Sequence, residues 1–345
     1  MTRMLSIAIQ TWESAHPVRI AGHVVSDMTV VVVTLSQDGF EGRGEAAGAF
    51  YKSETAAGMA AEIEVVRGAL EVGMGRNELR ALLPAGGARN AVDCALWDLE
   101  AGLQGRPVWD IALGTPLRPL LTACTIGAEA PAAMAAVASR RYGAARALKL
   151  KLLGDEDDGA RVRAVRAARE DVWLGVDLNQ GGTRDHLARL APVLRDARVS
   201  VVEQPFPIGD EAWMDGLDLG IPTVADESAQ GLDDVERLVG RFDIVNIKLD
   251  KCGGLTEALM IADRAHALGL GTMVGNMGGT GLAMAPALVV GQSCGIVDLD
   301  GPLFLKRDRQ PELLYRDGLV SAPPGLWGDG ERRSDASDED RARHD

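Results

Sequence analysis

The sequence predicts an α/β protein: a TIM-type barrel of alternating strands and helices, preceded by a smaller α+β unit. Three observations carry that reading. From about residue 121 onward, short apolar runs recur every 21 to 28 residues. Amphipathic helical segments fill the gaps between them. Acidic residues and lysines then stand at the ends of the runs, where barrels of this kind build their sites.

The first unit, 1–120, opens with two strand-like stretches, MLSIAIQTWES (4–14) and DMTVVVVTLSQDG (27–39), each ending in turn residues. FEGRGEAAG (40–48) continues the sheet. SETAAGMAAEIEVVRGALEVG (53–73) and ARNAVDCALWDLEAGLQ (88–104) carry helical periodicity, with Gly105 and Pro107 as a stop. Strands followed by helices predict an α+β capping domain.

The barrel unit, 121–301, holds eight runs: 122–128, 147–152, 172–179, 199–205, 222–228, 243–249, 271–277 and 295–300. Helices such as DGARVRAVRAARED (158–171) and TEALMIADRAHALG (256–269) lie between them. The first run is the weakest, and the chain after the eighth returns to loop, so the final helix is expected to be modified or missing. A doubly wound sheet would need a Gly-rich turn after its first strand, and TIGAEAPAA (125–133) has none. GNMGGTGLAMAPAL (275–288) is Gly-rich but matches neither phosphate-loop spacing, and reads as a tight rim. Residues 302–328 are expected to pack back on the cap. The charged tail, 329–345, has the composition of a disordered segment.

A formal charge of -14 argues against a nucleic-acid surface and against docking on anionic membranes. The N-terminus lacks the apolar run and cleavage site of a signal peptide. No segment approaches the roughly 18 apolar residues of a membrane span. The four cysteines, Cys94, Cys124, Cys252 and Cys294, are scattered, which fits buried thiols in a reducing cytoplasm.

The chain has only six lysines among 36 basic residues, and four of them fall in two strand-like stretches, ALKLK and NIKLDK. Arginine does not release its proton, whereas lysine does. Residues two apart on a strand share a face, so Lys149 and Lys151 are predicted side by side. Their repulsion is expected to lower the pKa of Lys151 towards that of a working base.

The ends of the third, fourth and fifth runs offer Asp177, Glu203 and Asp226. Three converging carboxylates call for a hard cation with oxygen ligands, Mg²⁺ before others. A salt-bridge network with Lys149 and Lys151 is the other reading. Lys151 and Lys248 end runs four apart in a ring of eight, so they are predicted to face each other across the mouth. Asn179, Asp298 and Asp300 stand at further strand ends. For Asp298 and Asp300 a rim salt bridge is the plain alternative.

Together KLK (149–151), VDLN (176–179), VEQP (202–205), ADES (225–228) and NIKLDKCGG (246–254) resemble the enolase superfamily, in its muconate-lactonizing-enzyme-like subgroup. The resemblance implies a modified (β/α)7β barrel under an α+β cap. It implies Asp177, Glu203 and Asp226 as Mg²⁺ ligands and Lys151 and Lys248 as an acid/base pair. The shared step would remove a proton α to a carboxylate and stabilise the enediolate. VDLDGPLFL (297–305) resembles the strand of dipeptide epimerases in which two aspartates take the substrate ammonium, here Asp298 and Asp300. Lys149 and Asn179 join the substrate-binding set.

The resemblance thus implies an isomerase inverting the C-terminal residue of a dipeptide, Ala-Glu-like or Ala-X. An N-acylamino acid racemase or o-succinylbenzoate synthase is the alternative enzyme, and a non-catalytic binding barrel the alternative class. Members acting on Ala-Glu often carry an arginine just before the second long strand. This chain has AGHVVSD (21–27) there, with Arg19 upstream. His23 and Val25 are the candidates to face the substrate, and a neutral or hydrophobic side chain is an open alternative. Barrels of this type commonly assemble, so a homo-oligomer is expected.

Overall fold

The structure is a computed structural model that describes residues 3–20 and 23–331, the side chains of 16–20 and 23–26 excepted. The charged tail from 332 therefore lies outside the described residues. Among those described, no helix is long and apolar enough to cross a membrane.

The cap begins with β1 (Met4–Ile20), β2 (His23–Gln37) and β3 (Phe40–Ala46), an antiparallel sheet in that order. The first two strands run further than their sequence pattern suggests. Pairing breaks between Glu13 and Val18 and then resumes, with Val18 opposite Val25 and Ile20 opposite His23. The alternation of faces is interrupted there, so the period-2 pattern is lost while pairing continues.

Helices α1 (Ala56–Val65), α2 (Arg67–Glu71) and α3 (Arg76–Leu82) follow, then the long α4 (Gly87–Gln104) and the short α5 (Val108–Leu113). Helix α4 lies directly on β3. A Cβ at Gly42 would sit 2.2 Å from the Ala95 carbonyl oxygen, and one at Gly44 would sit 2.1 Å from that of Ala91. These two glycines are what lets the helix backbone reach the sheet. Val31, Val33 and Leu35 of β2 pack with Met59, Ile63, Leu79 and Leu96 in the core of the cap.

After the short β4 (Leu120–Leu121), eight parallel strands follow in sequence order: β5 (Cys124–Ile126), β6 (Ala147–Lys151), β7 (Trp173–Asp177), β8 (Val201–Glu203), β9 (Thr223–Ala225), β10 (Ile244–Ile247), β11 (Gly271–Val274) and β12 (Ile296–Val297). A backbone bond from Ala123 N–H to the Val297 carbonyl, 2.8 Å, joins the two ends of this curled sheet. The crossovers carry α6 (Pro131–Ala136), α7 (Asp158–Ala168), α8 (Arg184–Asp196), α9 (Val235–Leu238), α10 (Leu249–Cys252), α11 (Leu255–Ala267) and α12 (Gly281–Gly291).

The crossover from β8 to β9 has no α-helix, only a 3₁₀ turn at Glu211–Met214. Its sequence, PFPIGDEAWMDGLDLGIP, is too rich in Pro and Gly to hold one. No helix follows β12 either; a 3₁₀ turn at Gly301–Phe304 takes its place. The last strands, β13 (Leu314–Arg316) and β14 (Leu319–Ser321), pair with each other, and β14 pairs with β4. The chain then reaches the cap, where the Trp327 indole N–H donates to the Arg43 carbonyl at 2.8 Å.

Candidate active site

Every strand of the barrel alternates inward and outward residues. On β6 this sends Leu148 and Leu150 to the helices and Lys149 and Lys151 to the interior. Both lysines are buried, as are Asp177, Glu203 and Asp226 at the ends of β7, β8 and β9. Parallel register puts these ends side by side, with Lys151 opposite Asp177 and Asp177 opposite Glu203.

The two ammonium groups do not simply repel. Asp177 Oδ2 stands between them, 3.1 Å from Lys149 Nζ and 2.6 Å from Lys151 Nζ. Lys149 also meets Glu203 at 2.7 Å and Asp298 at 3.0 Å. Burial draws the Lys149 pKa down, but Asp298, Glu203 and Asp177 outweigh it and hold the ammonium well above its ordinary value. This corrects the expectation of a repelling pair. The carboxylates that end the neighbouring strands are closer to each lysine's charge than the sequence could indicate.

Lys248, just after β10, reaches Asp226 Oδ2 at 2.7 Å. Burial lowers its pKa, yet Asp226 more than offsets this and keeps it protonated above the usual lysine range. Lys151 and Lys248 enter the mouth from strands with three others between them. The oxygens of Asp177, Glu203 and Asp226 lie within 4.8 Å of one another. Burial pushes Glu203 up to about 7, with Asp177 adding to it. In Asp177, burial is outweighed by Lys151 and Lys149, and the carboxyl is held at about 2.

Asp298 accepts from Lys149 through Oδ2, while its buried Oδ1 has no partner. Asp300 accepts from the Thr125 backbone N–H at 2.6 Å. Burial and the nearby Asp298 push Asp300 up to about 7. Among the described residues, no arginine is paired with either aspartate. Asn179 takes a left-handed φ of 41°, which lets its backbone N–H reach Asp177 Oδ1 at 2.8 Å. Its side chain donates to Glu227 Oε1 at 3.3 Å. His23 and Val25 lie on β2, but their side chains are outside the described residues.

Three further residues order this site. Lys251 Nζ holds Asp226 by Oδ1 at 2.6 Å and by its carbonyl at 2.5 Å. Asn246 donates to Glu203 Oε1 at 2.9 Å. Gln204 Oε1 accepts the backbone N–H groups of Asp226 and Ser228 at 2.9 and 3.1 Å, tying the end of β8 to that of β9. Asn246 was legible in principle, because it precedes Lys248 by two and so shares its face. Gln204 was not, since its role is to bind backbone of another strand.

Six buried carboxylates (Asp177, Glu203, Asp226, Glu227, Asp298, Asp300) meet four buried ammonium groups (Lys149, Lys151, Lys248, Lys251) around this mouth. The carboxyl groups outnumber the ammonium groups by two. A hard dication on the oxygen-only trio fits both the charge and the donor set. Above it lies a cavity of about 550 Å³, lined by barrel residues and by Met28, Phe50 and Tyr51 of the cap.

Gly278 explains how the cap comes so close. Its φ is +97°, and a Cβ there would sit 2.3 Å from Met28 Cε. The Gly-rich rim thus accommodates a cap side chain.

Comparison with known proteins fits this geometry. Residues 3–114 match the family described as mandelate racemase / muconate lactonizing enzyme, N-terminal domain, and residues 131–326 match enolase C-terminal domain-like. The chain is 38% identical over 317 residues to the L-Ala-D/L-Glu epimerase of Escherichia coli K12, covering 92% of this chain and 98% of that protein. It resembles, with a TM-score of 0.91 and 39% identity, an enolase family member from Agrobacterium tumefaciens with homology to dipeptide epimerases, solved with sodium and L-Ala-L-Glu. That match covers 94% of this chain and 100% of the other. A dipeptide epimerase from Methylococcus capsulatus, complexed with Mg and L-Arg-D-Lys, matches at a TM-score of 0.87 and 32% identity, over 95% of this chain and 99% of that one.

Proposed function

Because this chain belongs to the enolase superfamily, in its mandelate racemase/muconate lactonizing enzyme branch, we propose that it is a Mg²⁺-dependent dipeptide epimerase. One observation carries the reading: a single cavity brings Lys151 and Lys248 together with Asp298 and Asp300, beside the carboxylate trio. Asp177, Glu203 and Asp226 would hold the dication, which would supply positive charge beside the substrate carboxylate.

The chain's own groups do the rest. Asp298 and Asp300 take the ammonium of the dipeptide, and the unpartnered Asp298 Oδ1 offers an acceptor for it. Lys149 keeps its proton and screens the trio. Lys151 and Lys248 address opposite faces of the α-carbon. One removes the proton, and the other, carrying its own, returns one to the far face. Reversing the roles inverts the other enantiomer. Such positioned proton transfer contributes roughly 10²–10⁴-fold each. An N-acylated substrate lacks the ammonium that Asp298 and Asp300 suit, which disfavours the racemase alternative. The four free cysteines suit a reducing compartment and go with action in the cytoplasm.

The test is proton NMR in D₂O with Mg²⁺ and a set of L,L-dipeptides. Loss of the C-terminal α-proton signal is expected. Exchange in an N-succinylamino acid, with none in any dipeptide, would replace this reading by the racemase.

A further inference from the structure

We infer that the residue inverted by this enzyme carries an apolar side chain rather than an acidic one; the inference rests on the epimerase reading above. The cavity has two unlike walls. The barrel wall is charged, and its three lysines are all committed: Lys149 to Asp177, Glu203 and Asp298, Lys151 to Asp177, and Lys248 to Asp226. The apolar lining comes from Met28 and Phe50 of the cap and from Met277, Phe304 and Leu305 of the segments after β11 and β12, with Ser14 of the cap also in the lining. Among the described residues, no arginine lines the cavity.

Phe50 leaves 48% of its surface exposed at this mouth. It stands edge to face with Tyr51 at 5.6 Å. The Tyr51 hydroxyl accepts from Gln230 Nε2 at 2.9 Å, so Tyr51 offers the cavity its ring and one neutral O–H donor, but no cation.

With both ends of the dipeptide held at the barrel wall, and Lys151 and Lys248 on the two faces of the α-carbon, the side chain of that carbon is left to face the cap. There a carboxylate would shed water and, among the described residues, meet no free cation, which is costly. An aliphatic or aromatic side chain would cover apolar surface, which is favourable in proportion to the area covered.

The experiment is a competition in D₂O with Mg²⁺, an equimolar mixture of L-Ala-L-Leu, L-Ala-L-Phe, L-Ala-L-Glu and L-Ala-L-Lys, each α-proton followed by NMR. The Leu and Phe dipeptides should exchange at least about tenfold faster than the Glu dipeptide, the scale on which such pockets discriminate. Exchange led by the Glu or Lys dipeptide would overturn the inference and leave the epimerase standing. Exchange in none would remove the epimerase reading, and this inference with it. Met28→Arg and, separately, Phe50→Arg should each raise the Glu-to-Leu ratio at least about tenfold. An unchanged ratio in both, with melting curves showing folded protein, would overturn the assignment of this wall.

Discussion

Two clusters of buried charge, about equally dry, sit in this molecule. One is the barrel mouth. The other is the seam where α4 of the cap meets the barrel and the returning C-terminal segment. At the seam both oxygens of Asp93, Asp98 and Glu257 are answered, while Arg43 Nε and Asp308 Oδ2 are buried without partners. Arg89 Nη2 meets Glu257 Oε2 at 2.7 Å and the Cys252 carbonyl at 2.5 Å, and the other Glu257 oxygen accepts from Leu232 N–H. Asp93 accepts from the Thr256 N–H and hydroxyl at 2.9 and 2.6 Å. Asp98 accepts from Arg43 N–H and Gly328 N–H at 2.8 and 2.7 Å. At the mouth, by contrast, Asn179 Oδ1, Glu227 Oε2, Asn246 Oδ1 and Asp298 Oδ1 are buried without partners, and carboxylates outnumber ammonium groups. A closed network holds a fold together; an unfinished one is completed by a ligand.

That contrast makes separable predictions. The largest effect belongs to the mouth. Lys151→Ala or Lys248→Ala should lower epimerisation of the dipeptide by roughly 10³-fold or more while the variant still melts cooperatively. A seam change should do the reverse. Arg89→Ala leaves the buried Glu257 with Arg80, at 3.3 Å, as its remaining cationic partner, and should cost about 3–5 kcal/mol in urea unfolding, with activity per folded molecule unchanged. Equal loss of both properties in either variant would break the distinction.

Asn246→Leu tests the mouth more finely. It frees Glu203 Oε1 without altering charge, and should weaken Mg²⁺ binding, read by titration calorimetry, about tenfold with little change in melting temperature. The gentlest dependence on any one variable is a pH slope at the seam. Burial pushes Asp98 up to about 7 and Asp93 up to about 6, above the ordinary value of about 3.9. The folded state therefore keeps protons that the unfolded chain releases. This stability is fully present below about pH 4 and is lost as pH rises through about 7, by up to about 1.4 kcal/mol per pH unit for each group. Asp98→Asn should flatten the slope seen in urea unfolding between pH 4 and 7; an unaltered slope would assign it elsewhere.

Much of the site was legible in the chain itself. Strand periodicity is local, so the inward faces of Lys149 and Lys151 follow from their spacing. Strand order in a barrel follows chain order, so Asp177, Glu203 and Asp226 had to be neighbours once the alternating pattern was recognised. Both rules need only the sequence. What they leave undetermined is any distance between elements that the chain does not link directly. Only the closed barrel brings Asp298 to Lys149 across 149 residues and turns two repelling ammonium groups into clamped ones. Only the docked cap sets Met28 against Gly278 and Phe50 over the mouth. Those contacts depend on how whole layers pack, and packing is decided by the sum of all core side chains rather than by any motif within them.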